Sequence, residues 1–514
     1  MHEVPKNIQR RIIPRWRRVS DTPSEELTSV KQSEVSPEFR REFEALSARW
    51  LADKDVASAS ELLFAASLGY SDSSVHQAAQ FLIDSPGVST QLRRLAVGRL
   101  PKVEEVPAAE IEHKQTFEIR YLKSKLVEHP RNALAHVELA RAYVSLGLTE
   151  KANRHIRVAI QLAPSSRFVL RAAARFDVHR GKVERSIKAL EGVASRDPWL
   201  AATLVAVADL SGKPIKKIKP LRELLEQTND PAEKSELAAA LGTFELKDAG
   251  IRRARKYFQI SAVAPNENVV AQLFWLSKNY GVNFDRSLLD RGEAFEARAQ
   301  SSAEANDWEN AIQACLRWLD NEPFAIRPAF EGGYIASEML GDFKTAKEFA
   351  HRGLISNPKS GGLMNNLAYA LIMEGDIVGA KDLISRAKQF LGNDEERERA
   401  VLQATEGLLL YRQGNAADGA SHYIACILKA RELKIEQVVQ LAYLHFCYEE
   451  LRIGHAPPFW SIEELQKVFS GDEVSKHAKI VFNRMVQPML IARQKYGLID
   501  SGYGAPLPML VPPT

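Results

Sequence analysis

Apolar and polar positions along most of this chain alternate with a helical period, and they do so in blocks. From Ala135 to Pro164 the sequence AHVELARAYVSLGLTEKANRHIRVAIQLAP sets Leu139, Ala140 and Tyr143, and then Ala152, Ile156 and Ala159, three or four residues apart. That spacing puts side chains on one face of an α-helix. Gly147 separates the two runs and Pro164 closes them. The pattern returns one block later at Ala174, Gly181, Leu190 and Pro198, and Gly341 and Ala346 recur 34 residues on as Gly375 and Ala380. It predicts helix–turn–helix units whose apolar faces can be buried only against their neighbours in a stack.

Each recurring position has a physical cause. Ala140, Ala152 and Ala159 are small enough for the two helices of a unit to approach closely. Gly147, Gly181, Gly341, Gly375 and Gly414 stand where a first helix should end, and glycine takes the left-handed cap conformation cheaply. Pro164, Pro198, Pro323 and Pro358 follow the second helices, which proline cannot continue. Tyr143, Phe244 and Tyr411 are bulky wedges near the ends of first helices.

A period of about 34 residues with these positions in register resembles the tetratricopeptide repeat. The resemblance is good in units 133–166, 167–200, 292–325, 327–360 and 361–394, and weaker at 235–266 and 400–433. It implies an all-α fold, a right-handed superhelical α-solenoid of helix pairs. Five segments are expected: a basic extended arm (1–36), an N-terminal helical region of diverged repeats (37–109), a repeat array with a lysine-rich loop at 212–222 (110–234), a second array (235–454), and C-terminal helices with a Gly/Pro-rich tail (455–514). Ser36-Pro37-Glu38 reads as a helix start, residues 101–109 as a linker, and 461–469 and 473–495 as the last two helices.

Charge adds one feature. Residues 1–18 hold Lys6, Arg10, Arg11, Arg15, Arg17 and Arg18 against Glu3 alone, although the whole chain carries 69 basic and 65 acidic side chains. The excess therefore sits in the arm. Cys315, Cys426 and Cys447 are too few and too far apart for a disulfide framework or a metal site. There is no apolar core of a secretory signal in the first twenty residues, and no run of about 20 apolar residues that could span a membrane. A cytoplasmic protein with no membrane partner is expected.

Catalytic signatures are missing. The chain has no GxxxxGK[ST], GxGxxG after a strand, HExxH or GxSxG, so neither an enzyme nor a cofactor is expected. His445 and Cys447, two apart on a helix, point in different directions and read as packed positions. In tetratricopeptide families the inner face of the first helices contacts the ligand. The resemblance places Arg141, Arg171, Arg175 and His179 on that face early in the chain, Glu296 and Glu331 later, and Asn365, Asn366 and Tyr369 in unit 361–394. Two readings of this face stand side by side: a solvated charged stripe, or an early basic site for an acidic peptide or nucleic acid, with the later acidic units fixing the direction of a bound peptide.

The arm sequence RRIIPRWRR likewise supports more than one reading. Arg10, Arg11, Arg15, Arg17 and Arg18 with Trp16 could grip phosphates and stack on a base, dock onto the solenoid or a partner, or form a plain tail. The leading functional expectation is a non-enzymatic scaffold or adaptor that holds a protein or peptide in its groove. The alternative is a nucleic-acid-associated regulator acting through the arm, Lys213–Arg222 and Arg252, Arg253, Arg255 and Lys256. On the first, Arg171→Glu with Arg175→Glu should abolish capture without unfolding. Homo-oligomerisation through terminal repeats stays open.

Overall fold

The computed structural model describes residues 10–22, 24–27, 37–66, 73–89, 92–93, 96, 108–215, 218–392, 395–471 and 474–496. Among them the chain is all-α and has no strand. No helix among the described residues is long and apolar enough to cross a membrane. Contacts divide the chain into two compact units, Pro5–Ala294 and a second that begins at Phe295.

In the first unit Ala133–Ser145 pairs with Thr149–Leu162, Arg167–His179 with Glu184–Glu191, Pro198–Leu210 with Ile218–Gln227, and Pro231–Ala249 with Ile251–Ser261. Glu267–Tyr280 follows as a further first helix. Ahead of the pairs, Pro37–Ala52, Val56–Ala66 and Ser73–Asp84 form their own small core around Trp50, Leu62, Leu63 and Leu82. The longer helix Ala108–Glu128 leads into the first pair.

The second unit repeats the scheme. Phe295–Glu304 pairs with Trp308–Asn321, and Ile326–Tyr334, extended by the π-helical turn Ile335–Leu340, with Phe343–Ser356. Gly361–Glu374 pairs with Ile377–Phe390 and Glu396–Arg412 with Ala416–Glu432. Glu436–Arg452 and Ile462–Ser470 come next. Lys476–Val481 then runs through the π-helical turn Phe482–Val486 into Gln487–Tyr496.

Local chemistry explains the boundaries. Side chains of Asn132, Ser166, Asp197 and Asn266 each accept hydrogen bonds from N–H groups that the first turn would otherwise leave without partners. The five glycines expected at first-helix ends all have positive φ, from 67° at Gly181 to 94° at Gly375, so the cap register read from the sequence is the register of the fold. Gly242, on the long first helix Pro231–Ala249, lies under the Phe258 ring of its partner helix. An added Cβ would fall 2.6 Å from a ring carbon. Gly242→Ala is therefore expected to lower the unfolding free energy by about 1–3 kcal/mol, visible as a lower urea midpoint.

One expected loop is a helix. Ile218–Gln227 begins inside the lysine-rich stretch 212–222. Leu221 and Leu225, one turn apart, are both buried and anchor it, and Pro220 sits in the first turn, where its missing N–H breaks no intrahelical bond. Lys216 and Lys217, the arm residues 1–9 and 28–36, the linker residues 101–107 and the tail 497–514 lie outside the described residues.

Candidate functional site

The arm lies in the groove of the first unit. Residues 10–18 run as extended backbone, and a short 3-10 turn at Val19–Asp21 and a single helical turn at Ser24–Leu27 follow. Ile12, Pro14, Trp16 and Arg17 are buried, with Trp16 entirely out of solvent. The two groups of candidate residues read from the sequence, the arm and the early groove, are thus parts of one arrangement.

Five successive first helices form the wall. From Ala133–Ser145, Arg141 Nε donates to the Trp16 carbonyl at 3.1 Å, and Glu138 Oε1 accepts the Val19 N–H at 3.0 Å. Phe176 of Arg167–His179 meets the Trp16 ring edge-on, centroids 6.1 Å apart. Asp209 of Pro198–Leu210 accepts from Arg11 Nε at 2.5 Å. Ile12, itself buried, lines a small cavity together with Val205 and Ala206 of Pro198–Leu210 and Ala240, Thr243 and Phe244 of Pro231–Ala249. Asn268 of Glu267–Tyr280 donates to the Ile13 carbonyl at 2.8 Å and accepts from Arg10 at 3.0 Å, and Gln272, one turn on, accepts from Arg10 at 3.2 Å. Arg17 pairs with Glu267 and, at 3.1 Å, with Glu293, and Arg18 pairs with Glu118 at 3.3 Å.

Beneath the arm is a buried charge network. Arg171, 3% exposed, donates to Glu236 at 2.5 Å, lies over the Trp199 ring and stands 3.8 Å from Glu26 of the arm. Arg167 pairs with Asp197 at 2.7 Å. Burial opposes the charge on Glu236, but Arg171 and the amides of Asn266 and Asn268 hold its carboxyl below the usual range. Arg175 and His179 are half-buried at the end of the same stripe, where burial and the Arg175 cation push the His179 imidazole down to about 4. This part of the groove is therefore not net basic, because Arg167 and Arg171 are each matched by an acid from a neighbouring helix, while Arg141 is given over to the Trp16 carbonyl.

Burial raises two carboxyls to about 7. Glu26 faces Arg171, Arg17, Glu236 and Glu267, and Glu138 faces Arg141, Glu118, Arg18 and the Val19 N–H. With the arm away Glu26, which the arm carries, should titrate near 4.3, and Glu138, freed of the part of its burial that the arm supplies, should move down toward that value. A carboxyl raised in the docked state favours docking fully below that value, and the contribution is lost as pH rises through about 7. The arm is thus expected to dock more tightly at pH 5.5 than at pH 8. The fluorescence difference between the natural chain and Trp16→Phe measures this, and a flat difference across that window would refute it.

In the second unit the expected groove residues meet other parts of the protein. Arg327 joins Glu296 at 2.6 Å and Glu331 at 2.9 Å, so both acids are neutralised by one guanidinium. Asn365 is buried and Asn366 half-buried. Tyr369 packs edge-on against Phe343 and His445, and burial beside Glu338 drives its phenol well above the ordinary range. His445 itself sits 3.1 Å from Glu338. The C-terminal helix crosses these first helices: His477 lies 3.2 Å from the Tyr334 hydroxyl and 3.0 Å from Gln437, and Arg484 donates to the Ser337 carbonyl at 3.4 Å.

Sequence reasoning missed Glu118, Glu138, Asp209, Glu236, Glu267, Asn268, Gln272 and Arg327. A signal existed for some of them. Asn268 and Gln272 stand one turn apart in the otherwise apolar run VVAQLFWL and its flank, and a polar pair inside such a run needs a partner.

No family model and no curated protein matches this chain. Among solved structures, a human IFIT1 dimer with PPP-AAAA aligns over 77% of this chain and 94% of its own, with 14% identity and a TM-score of 0.36. The APC/C hetero-tetramer Cut9-Hcn1 aligns over 87% and 86%, with 14% identity and a TM-score of 0.35. Yeast Tom70 aligns over 89% and 97%, with 12% identity and a TM-score of 0.30. Likeness at this level transfers neither partner nor activity.

Proposed function

We propose that this chain is a non-enzymatic, cytoplasmic adaptor of the tetratricopeptide type that holds an extended segment of a partner protein in the groove of its Pro5–Ala294 unit. The arm itself carries the reading. The groove already grips 10–22 through main-chain bonds from Arg141, Glu138 and Asn268, which would serve any extended peptide, and through side-chain positions that select one. Affinity capture from native lysate by the natural chain and by Trp16→Ala, each with and without nuclease, tests it. A discrete protein that survives nuclease and is enriched by the variant is expected. Recovery of nuclease-sensitive partners only would overturn it.

The second reading, a nucleic-acid-associated regulator, draws on a different surface. Arg252, Arg253, Arg255 and Lys256 are exposed in the first turns of Ile251–Ser261, where the helix dipole disfavours cations, so stability does not account for them. The docked arm does not help this reading, since Trp16 is buried and Arg11, Arg17 and Arg18 face carboxylates. Reversing these four charges should abolish a gel shift and its salt dependence. An unchanged shift would dispose of the reading.

A further inference from the structure

We propose that the partner segment carries the arm's own chemistry, namely basic side chains set around a buried aliphatic residue and a tryptophan, and that it binds by displacing residues 10–22 from the groove. The proposal rests on the adaptor reading above and names its ligand class.

Three features of the groove define that class. The first is a set of acids placed for cations at fixed positions. Asp209 takes the cation just before the buried isoleucine, Glu267 and Glu293 share the one after the tryptophan, and Glu118 takes the next. Asp209 also holds Lys247 of the wall at 3.1 Å, but an acidic peptide would set its own anions beside Asp209, Glu267, Glu293 and Glu118, and a neutral one would forgo the ion pairs the arm makes there. The second is a pair of apolar seats. Ile12, buried, shares the walls of one small cavity with Val205, Ala206, Ala240 and Phe244, and Trp16, also buried, lies against Phe176. A peptide with cations but without the tryptophan would leave the second seat vacant. The third is main-chain recognition: Asn268 and Arg141 donate to carbonyls three residues apart, at Ile13 and Trp16, and Glu138 accepts the N–H at Val19. That fixes an extended conformation and its direction.

Displacement is within reach because the arm is held imperfectly near neutral pH. It docks at the expense of Glu26 and Glu138, two carboxyls that burial disfavours as anions. Being tethered, the arm competes at the effective concentration of a short linker, of millimolar order. A peptide in trans is therefore weakened by the fraction of groove the arm leaves open. The natural chain discriminates against weak ligands and admits those that bind more tightly than its own arm or bring a second contact.

The test uses the full chain and a fluorescein-labelled synthetic peptide of residues 10–22, followed by fluorescence anisotropy at low salt. Trp16→Ala with Arg11→Ala releases the arm in cis. This variant should bind the peptide at least about tenfold more tightly than the natural chain. Adding Asp209→Lys should weaken it at least about tenfold again, and a peptide with Trp16→Ala should bind at least about tenfold more weakly. Equal binding by natural and arm-released chains, or none by either, would overturn the proposal. Arg11→Ala alone, which removes one ion pair and leaves Asp209 its second cation, Lys247, serves as the second variant should the double substitution fail to fold, and it should shift affinity in the same direction. If the released chain refuses the basic peptide but binds one with glutamates at the arginine positions, the adaptor reading stands and the ligand class falls. If light scattering finds the released-arm or natural chain dimeric through exchanged arms, the occupant is a second copy and the proposal is likewise overturned.

Discussion

Trp16→Ala is expected to release residues 10–22 from the groove of the first unit. The indole is wholly out of solvent, meets Phe176 edge-on and sits between Arg141, which holds its carbonyl, and Arg17, whose guanidinium joins Glu267 and Glu293. Truncating a fully buried tryptophan costs about 3–5 kcal/mol. A flanking arm has only local contacts to spare, so a loss of that size falls mainly on docking, while the helix pairs keep the caps and cores that hold them. Hydrogen exchange at the Val19 amide, which donates to Glu138 in the docked state, should lose its protection. The thermal transition of the helical body should move much less. Protection unchanged in the variant would mean that the aromatic seat does not hold the arm.

Arg171→Glu is expected to destabilise the first unit as a whole. The sequence suggested an exposed groove arginine whose charge could be reversed without harm to the fold. In the structure Arg171 is 3% exposed and stands between Glu236 and Glu26, with Trp199 against its face. Reversal would set three carboxylates together out of water. Breaking a buried pair by removing one partner costs about 3–5 kcal/mol, so urea denaturation should show at least that loss. Arg171→Met with Glu236→Leu should recover most of it, because the pair leaves together and the space is refilled with apolar atoms. A double substitution as unstable as Arg171→Glu would show that the network, rather than the lone charge, sets the stability. Arg175→Glu, half-buried at the edge, should cost far less and is the better probe of capture.

These two cases also mark how far the sequence could be read. The repeat positions were legible because each acts through its own backbone or its nearest helix. Gly147, Gly181, Gly341, Gly375 and Gly414 all adopt the expected positive φ, and the helix start at Pro37 and the C-terminal pair of helices fall close to where periodicity puts them. The loop assigned to 212–222 failed for a local reason: lysines and a proline looked like a break, while Leu221 and Leu225 outweighed them by burial. Arg141 and Arg171 line one wall together with Phe176, which the sequence reading did not single out. Their state was not legible. Exposure depends on what lies over the face, and the occupant comes from more than a hundred residues away in the chain.

The sequence by itself determined the all-α class, the helix pairs and their caps, the concentration of positive charge in 1–18 and the absence of recognisable catalytic motifs, because those follow from spacing, local propensity and composition. Only the tertiary structure decided that the basic arm and the early groove are one site. Arg11 finds Asp209, Arg17 finds Glu267 and Glu293, and Arg171 finds Glu236 across separations that no local pattern encodes. Each acid is an ordinary helix or turn residue until the fold brings it to the wall of the groove, where Asp209 and Glu236 are buried. There an unmatched charge is costly, and the partner that matches it becomes part of the fold.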